Sequence, residues 1–156
     1  MATSDGTIEA ISLLPDDLRP CPQAVEAVRA SDLVVLGPGS WFTSVLPHLM
    51  VPALAEALIE TEAHVVVVLN LAPQDGETDG FGPVDHLAVL LHHAPDLGLG
   101  TVLVDRSGAG DLAGLEDLAD KCGARVVVAD VARDDGSAQH DPAKLATAYA
   151  GILAEL

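Results

Sequence analysis

The sequence predicts an α/β protein: a Rossmann-like, three-layer α/β/α fold around a mainly parallel sheet of about four strands. Three observations lead there. Four short apolar runs, Leu33–Leu36, Val65–Leu69, Thr101–Val104 and Arg125–Ala129, are rich in Val and Leu and almost free of polar alternation, as strands covered on both faces are. Helical patterns separate the runs, and such alternation implies a parallel, doubly wound sheet with right-handed crossovers. At 156 residues and 49% apolar content, the chain suits one domain with a sizeable core.

The elements follow in chain order. A strand at Thr7–Leu13 and a helix near Pro22–Arg29 precede the first run. The first run enters Gly37-Pro38-Gly39-Ser40, and Trp41-Phe42-Thr43-Ser44 then starts a helix. Val51–Ile59 reads as a helix with Pro52 in its first turn, where a missing N–H costs nothing. In Val84–His92 the residues Val84, Leu87, Ala88 and Leu91 form one apolar stripe. Asp111–Lys121 is closed by Gly123, and the last helix runs from Asp141, its N-cap, through Pro142 to about Leu153. A small parallel sheet has two edges needing cover, which leaves dimerisation through an edge open.

Charge narrows the partners. Twenty-four acidic residues against seven basic ones give a formal net charge of −17. That surface repels a phosphate backbone, so nucleic-acid binding is not expected. An anionic ligand must be held locally, by amide N–H groups and few cations. Cys21 and Cys122 stand alone, without the spacing of a zinc site or a disulfide framework. No signal-peptide pattern begins the chain and no apolar run approaches the ~20 residues that span a bilayer. A cytoplasmic protein without membrane insertion is the expectation.

Two loops carry the chemistry. Gly37, Pro38, Gly39 and Ser40 follow a strand, where ligands of parallel sheets bind. The glycines let the backbone approach a ligand, and Ser40, Thr43 and Ser44 set hydroxyls beside the unpaired N–H groups of a helix start. An ordinary turn with an N-cap serine explains the same residues. After the next strand comes Asn70–Phe81, whose Asn70, Gln74, Glu77, Thr78 and Asp79 would face the same crevice. Amides and carboxylates suit ribose, base-edge or sugar hydroxyls, and the carboxylates suit Mg²⁺ beside a diphosphate. A solvated turn is the plainer alternative. Among the histidines, His86 either lines the site or sits on the surface, His140 faces the ligand or merely precedes the Asp141 cap, and His92 and His93 close a helix. Trp41 and Phe42 stack on a base, or pack into the core or a subunit interface.

The runs Leu-Gly-Pro-Gly-Ser-Trp-Phe-Thr-Ser-Val-Leu-Pro-His-Leu with Val51-Pro52, Gln-Asp-Gly-Glu-Thr-Asp-Gly-Phe and Asp85-His86 resemble the YvcK family of gluconeogenesis factors, in the superfamily of the 2-phospho-L-lactate transferase CofD. The resemblance covers roughly Ile11 to Leu156 and corresponds to a carboxyl-terminal half. The family's preceding half, with its glycine-rich nucleotide loop, has no counterpart here, as in a truncated chain or a short relative. The resemblance implies a protein that binds UDP-sugars, UDP-N-acetylglucosamine above all, and influences carbon metabolism and cell-wall growth without an established reaction. The alternative it implies is a CofD-like transferase fragment using Mg²⁺ to move a phospholactyl group. Family members commonly carry Arg-His-Asp before the last helix, with the arginine implicated in the UDP-sugar site. Here Gln139-His140-Asp141 stands there. Gln139 keeps a hydrogen-bonding group but gives up the charge-assisted clamp on phosphate. Pro142 replaces a threonine that some relatives phosphorylate.

Overall fold

Valine and leucine stacked on both sides of four short strands organise the molecule. A computed structural model describes residues 11–14 and 18–156. After α1 (Pro22–Arg29) and β1 (Leu33–Leu36), a π-helical turn at Trp41–Val45 leads into α2 (Leu46–Leu49). Then come α3 (Pro52–Glu60), β2 (His64–Val68), α4 (Pro83–His93), β3 (Thr101–Asp105), α5 (Leu112–Lys121), β4 (Arg125–Ala129) and α6 (Pro142–Leu153). The four strands pair in parallel in the order β1-β2-β3-β4, with Leu33 opposite His64 and Thr101 opposite Arg125.

Alternate residues of one strand serve different cores. Val65, Val67 and Leu69 pack with Val102, Val104 and the apolar stripes of α2–α5, including Leu46, Leu58, Leu87, Leu90 and Leu115. Val66, Val68 and Leu103 face the other way, onto Ile152, Leu145 and Tyr149 of α6. All of the β2 and β3 valines are buried, each worth roughly 1.5–3 kcal/mol relative to exposure. The α/β/α layering is therefore as the sequence predicts, but the winding is not. A strand order without a reversal puts every connecting helix on one face when the crossovers are right-handed, so among the described residues α6 is the helix that covers the second face.

Helix ends agree with their local chemistry. Val51 lies outside α3 as its N-cap, and α4 starts one residue early at Pro83 because Asp85 caps the Gly82 N–H at 2.8 Å. Asp111 accepts from Gly114 N, and Asp141 accepts from both Ala143 N and Lys144 N. Of the expected strand at Thr7–Leu13, residues 7–10 lie outside the described residues and 11–13 are not strand. Among the described residues no single helix is long and apolar enough to cross a membrane.

One glycine is required by the close packing where β1 ends. Gly37 has φ +81°, and a Cβ there would sit 2.7 Å from the Val68 carbonyl oxygen. Gly98 has open space at the same point and an ordinary φ. We expect G37A to cost about 2 kcal/mol in chemical denaturation and G98A to stay within about 0.5 kcal/mol. Equal losses in the two variants would contradict the packing argument.

A candidate ligand-binding crevice at the strand ends

Because the strands are parallel, the segments that follow them emerge on one edge. The first is Gly37–Ser40. Ser40 caps the π-helical turn: its Oγ accepts from Thr43 N at 3.1 Å and from Thr43 Oγ1 at 2.5 Å. The Ser40 carbonyl accepts from both Ser44 N and Val45 N. The second segment, Asn70–Phe81, folds against it. Asn70 Oδ1 accepts from Gly39 N at 3.3 Å, and Ser40 Oγ donates to Glu77 Oε2 at 2.5 Å. The two predicted loops thus meet, as the sequence reading requires.

A third segment completes the wall. Residues 131–141 form a pinched loop, held by Asp141 N to Val131 O at 2.8 Å and Arg133 N to Gln139 O at 3.0 Å. Asp105, at the end of β3 and 4% exposed, anchors this loop. Its carboxylate accepts from Val131 N, Ala132 N, Ser107 N and Ser107 Oγ. Burial alone would raise the Asp105 pKa, but these four donors outweigh it and hold the carboxyl below its ordinary value. The sequence reading passes over Asp105; the signal was the Asp-x-Ser spacing, which commonly makes a local turn.

Together the three segments enclose a crevice of 330 Å³, whose polar lining comes from Gly39, Asn70, Gln74, Gln139 and His140, with Pro38 on its apolar wall. Asn70 Nδ2 reaches Gln74 Oε1 at 3.4 Å. Among the described residues, no lysine or arginine lines the crevice. Lys144 is instead paired with Asp130 and Asp134, which raise its pKa to about 12.

The remaining predicted residues lie elsewhere. Thr78 is fully buried and accepts from Gln74 N at 2.8 Å, and Asp79 accepts from Gly76 N at 2.9 Å, so both shape the turn from within. Ser40 and Glu77 bond to each other, and neither lines the crevice. Thr43 and Ser44 are exposed on the π-helical turn. Ser44 and Gly37 border a separate apolar hollow of 180 Å³ against Val34, Leu54 and Leu58. The expected hydroxyl cradle is therefore divided: Ser40 spends its oxygen on the helix cap, and Thr43 turns its hydroxyl to Ser40. Among the described residues, no group of three or more His, Cys, Asp or Glu is placed to hold a metal ion.

Trp41 and His86 lie beneath the two loops rather than at the surface. Trp41 is fully buried and His86 is 3% exposed. Their rings meet edge-on at 5.2 Å, and His86 also meets Phe81 edge-on at 5.5 Å. Trp41 Nε1 and His86 Nε2 have no hydrogen-bond partner among the described residues. Burial lowers the His86 pKa, against the opposing pull of the Gly82 carbonyl and Asp85. Burial likewise lowers that of His140, against the Leu69 carbonyl and Asp105.

The fold and this crevice define a Rossmann-like α/β protein with its candidate site at the carboxyl edge of the sheet. Its sequence matches the family model for 2-phospho-L-lactate transferase CofD over residues 2–140. A relative from Mycobacterium tuberculosis is 46% identical over 157 residues, covering 99% of this chain and 46% of the relative. One from Listeria innocua, named Gluconeogenesis factor, is 33% identical over 94% of this chain and 49% of its own length. A crystal structure of a Bacillus halodurans member of the UPF0052 family superposes with a TM-score of 0.80 at 29% identity, over 93% of this chain and 51% of that one. The chain belongs to the CofD family, with gluconeogenesis factors of the YvcK type among its relatives. It spans about half the length of the relatives it matches.

The buried histidines set a pH dependence. A histidine held neutral has a folded pKa below its unfolded one, so the unfolded chain takes up protons first. Stability is then complete above about pH 6.5 and is lost as pH falls below it. We expect the Tm to fall between pH 7 and pH 5, and H86L to show a shallower slope over that range. Parallel slopes in thermal melts would remove His86 from this account.

Proposed function

We propose that this chain is a nucleotide-sugar-binding module of the UDP-N-acetylglucosamine type, with a regulatory rather than a catalytic role in a cytoplasmic protein. One observation carries the reading. Loops from successive strand ends are hydrogen-bonded into a single wall, through Gly39–Asn70 and Ser40–Glu77, around a cleft of ligand size. The lining offers carboxamides and backbone, groups that recognise bases and sugars by hydrogen bonding. It presents no paired nucleophile and base of the kind that covalent catalysis requires. The name carried by the Listeria relative supports a place in the control of carbon metabolism.

A transferase reading is favoured by one observation, the family model and the enzyme it describes. It requires Mg²⁺, for which the described residues bring no cluster of ligands, and the binding reading accounts for the lining better.

Thermal melts test the proposal. A ligand at 100-fold its Kd adds about 2.7 kcal/mol to stability, several degrees in Tm for a domain of this size. We expect UDP-N-acetylglucosamine to raise the Tm, and the double variant N70A/Q74A to lose most of that rise while remaining folded. A folded wild-type chain whose Tm is indifferent to saturating ligand would rule the reading out.

A further inference from the structure

Resting on the nucleotide-sugar reading, we infer that the crevice seats the uncharged, hydrogen-bonding half of the ligand, a base imide edge or an acetamido sugar, and that no phosphate occupies it. The chain contains only four carboxamides, Gln23, Asn70, Gln74 and Gln139. Three of them, drawn from two loops far apart in sequence, converge on this one crevice. Each carries an acceptor oxygen and two N–H donors on one plane. That pattern complements a neutral group which itself presents donors beside acceptors.

The turn beside the crevice, which shares Gly39 with its lining, is poorly suited to an anion. Gly39 N is engaged by Asn70 Oδ1, and the single hydroxyl proton of Ser40 goes to Glu77. Thr43 N is taken by Ser40 Oγ. A phosphate at the turn would have to displace the Glu77 carboxylate and gain no lining cation in exchange. Asp105 lies behind His140, and the whole chain carries a net charge of −17. A neutral group meets none of these costs. The Asn70–Gln74 contact is already long at 3.4 Å and yields to a better partner with little loss. Pro38, Leu71 and Pro73 supply apolar walls for a ring face. A volume of 330 Å³ is at the small end for an organic ligand and has room for about one half of a nucleotide sugar. The charged half then lies toward solvent.

The small number of carboxamides makes the test direct. In the ¹⁵N-labelled chain, the side-chain NH₂ signals are assigned with N70D, Q74E and Q139E, and Gln23 serves as an internal control. The chain is titrated separately with uridine, N-acetylglucosamine, inorganic pyrophosphate and intact UDP-N-acetylglucosamine. The inference expects uridine or N-acetylglucosamine to move the Asn70, Gln74 and Gln139 signals while Gln23 stays still. Which of the two does so identifies the half that is read. The apparent Kd should change no more than about twofold between low salt and ~1 M salt. Pyrophosphate moving the three signals with salt-sensitive affinity would overturn the inference and leave the nucleotide-sugar reading intact. So would binding of the intact ligand with the three signals unmoved. If no compound binds a folded chain, the nucleotide-sugar reading itself fails, and the inference with it.

Discussion

Parallel strand direction is the constraint on which the rest of this molecule depends. Strands that all run one way release their following segments on one edge, and here three of those segments build the crevice. The direction is imposed by burial on both faces. Val65–Val68 and Val102–Val104 are almost completely enclosed, and only helical crossovers on one side and α6 on the other can enclose them. A shift of one residue in any strand would exchange the two cores, since Val65 and Val67 serve one and Val66 and Val68 the other. Register, core and site geometry are therefore a single property.

Acidic side chains do the joining at the edge. Asp105 gathers four donors and thereby ties the loop carrying Gln139 and His140 to the end of β3. Glu77 ties the second loop to the first through Ser40. Asp79, Asp85, Asp111 and Asp141 close turns and helix starts in the same way. Several of the chain's carboxylates are thus engaged by backbone N–H groups that would otherwise lack partners. The result is a crevice joined by carboxylates, with no cation in its lining among the described residues. This combination favours ligands recognised by shape and hydrogen bonding over ligands held by charge.

The strands were legible because a Val-rich run covered on both faces has few alternatives, and all four fall within a residue or two of their predicted limits. The meeting of Gly37–Ser40 with Asn70–Glu77 was legible as well, since it follows from parallel neighbours alone. The winding was not: helical patterns between strands do not say to which side of the sheet each new strand is added. Nor were the directions of Thr43, Ser44, Thr78 and Asp79 legible. A hydroxyl or carboxylate in a turn chooses between ligand and local backbone on geometry: here the backbone holds Thr78 and Asp79, Ser40 holds Thr43, and Ser44 borders the apolar hollow. Asp105 was hidden in a strand, where an acidic residue reads as a boundary rather than as an anchor. The convergence of Gln139 with Asn70 and Gln74 depends on a loop after β4 folding back over the sheet edge, and no local pattern announces that.

The most direct measurement of the central claim is a crystal structure of this chain grown with UDP-N-acetylglucosamine. The account predicts ligand density between Asn70, Gln74 and Gln139, with the three loops keeping their mutual hydrogen bonds. Density confined to the opposite edge of the sheet, near His64 and Arg125, or a crevice left unfilled at saturating ligand, would contradict it.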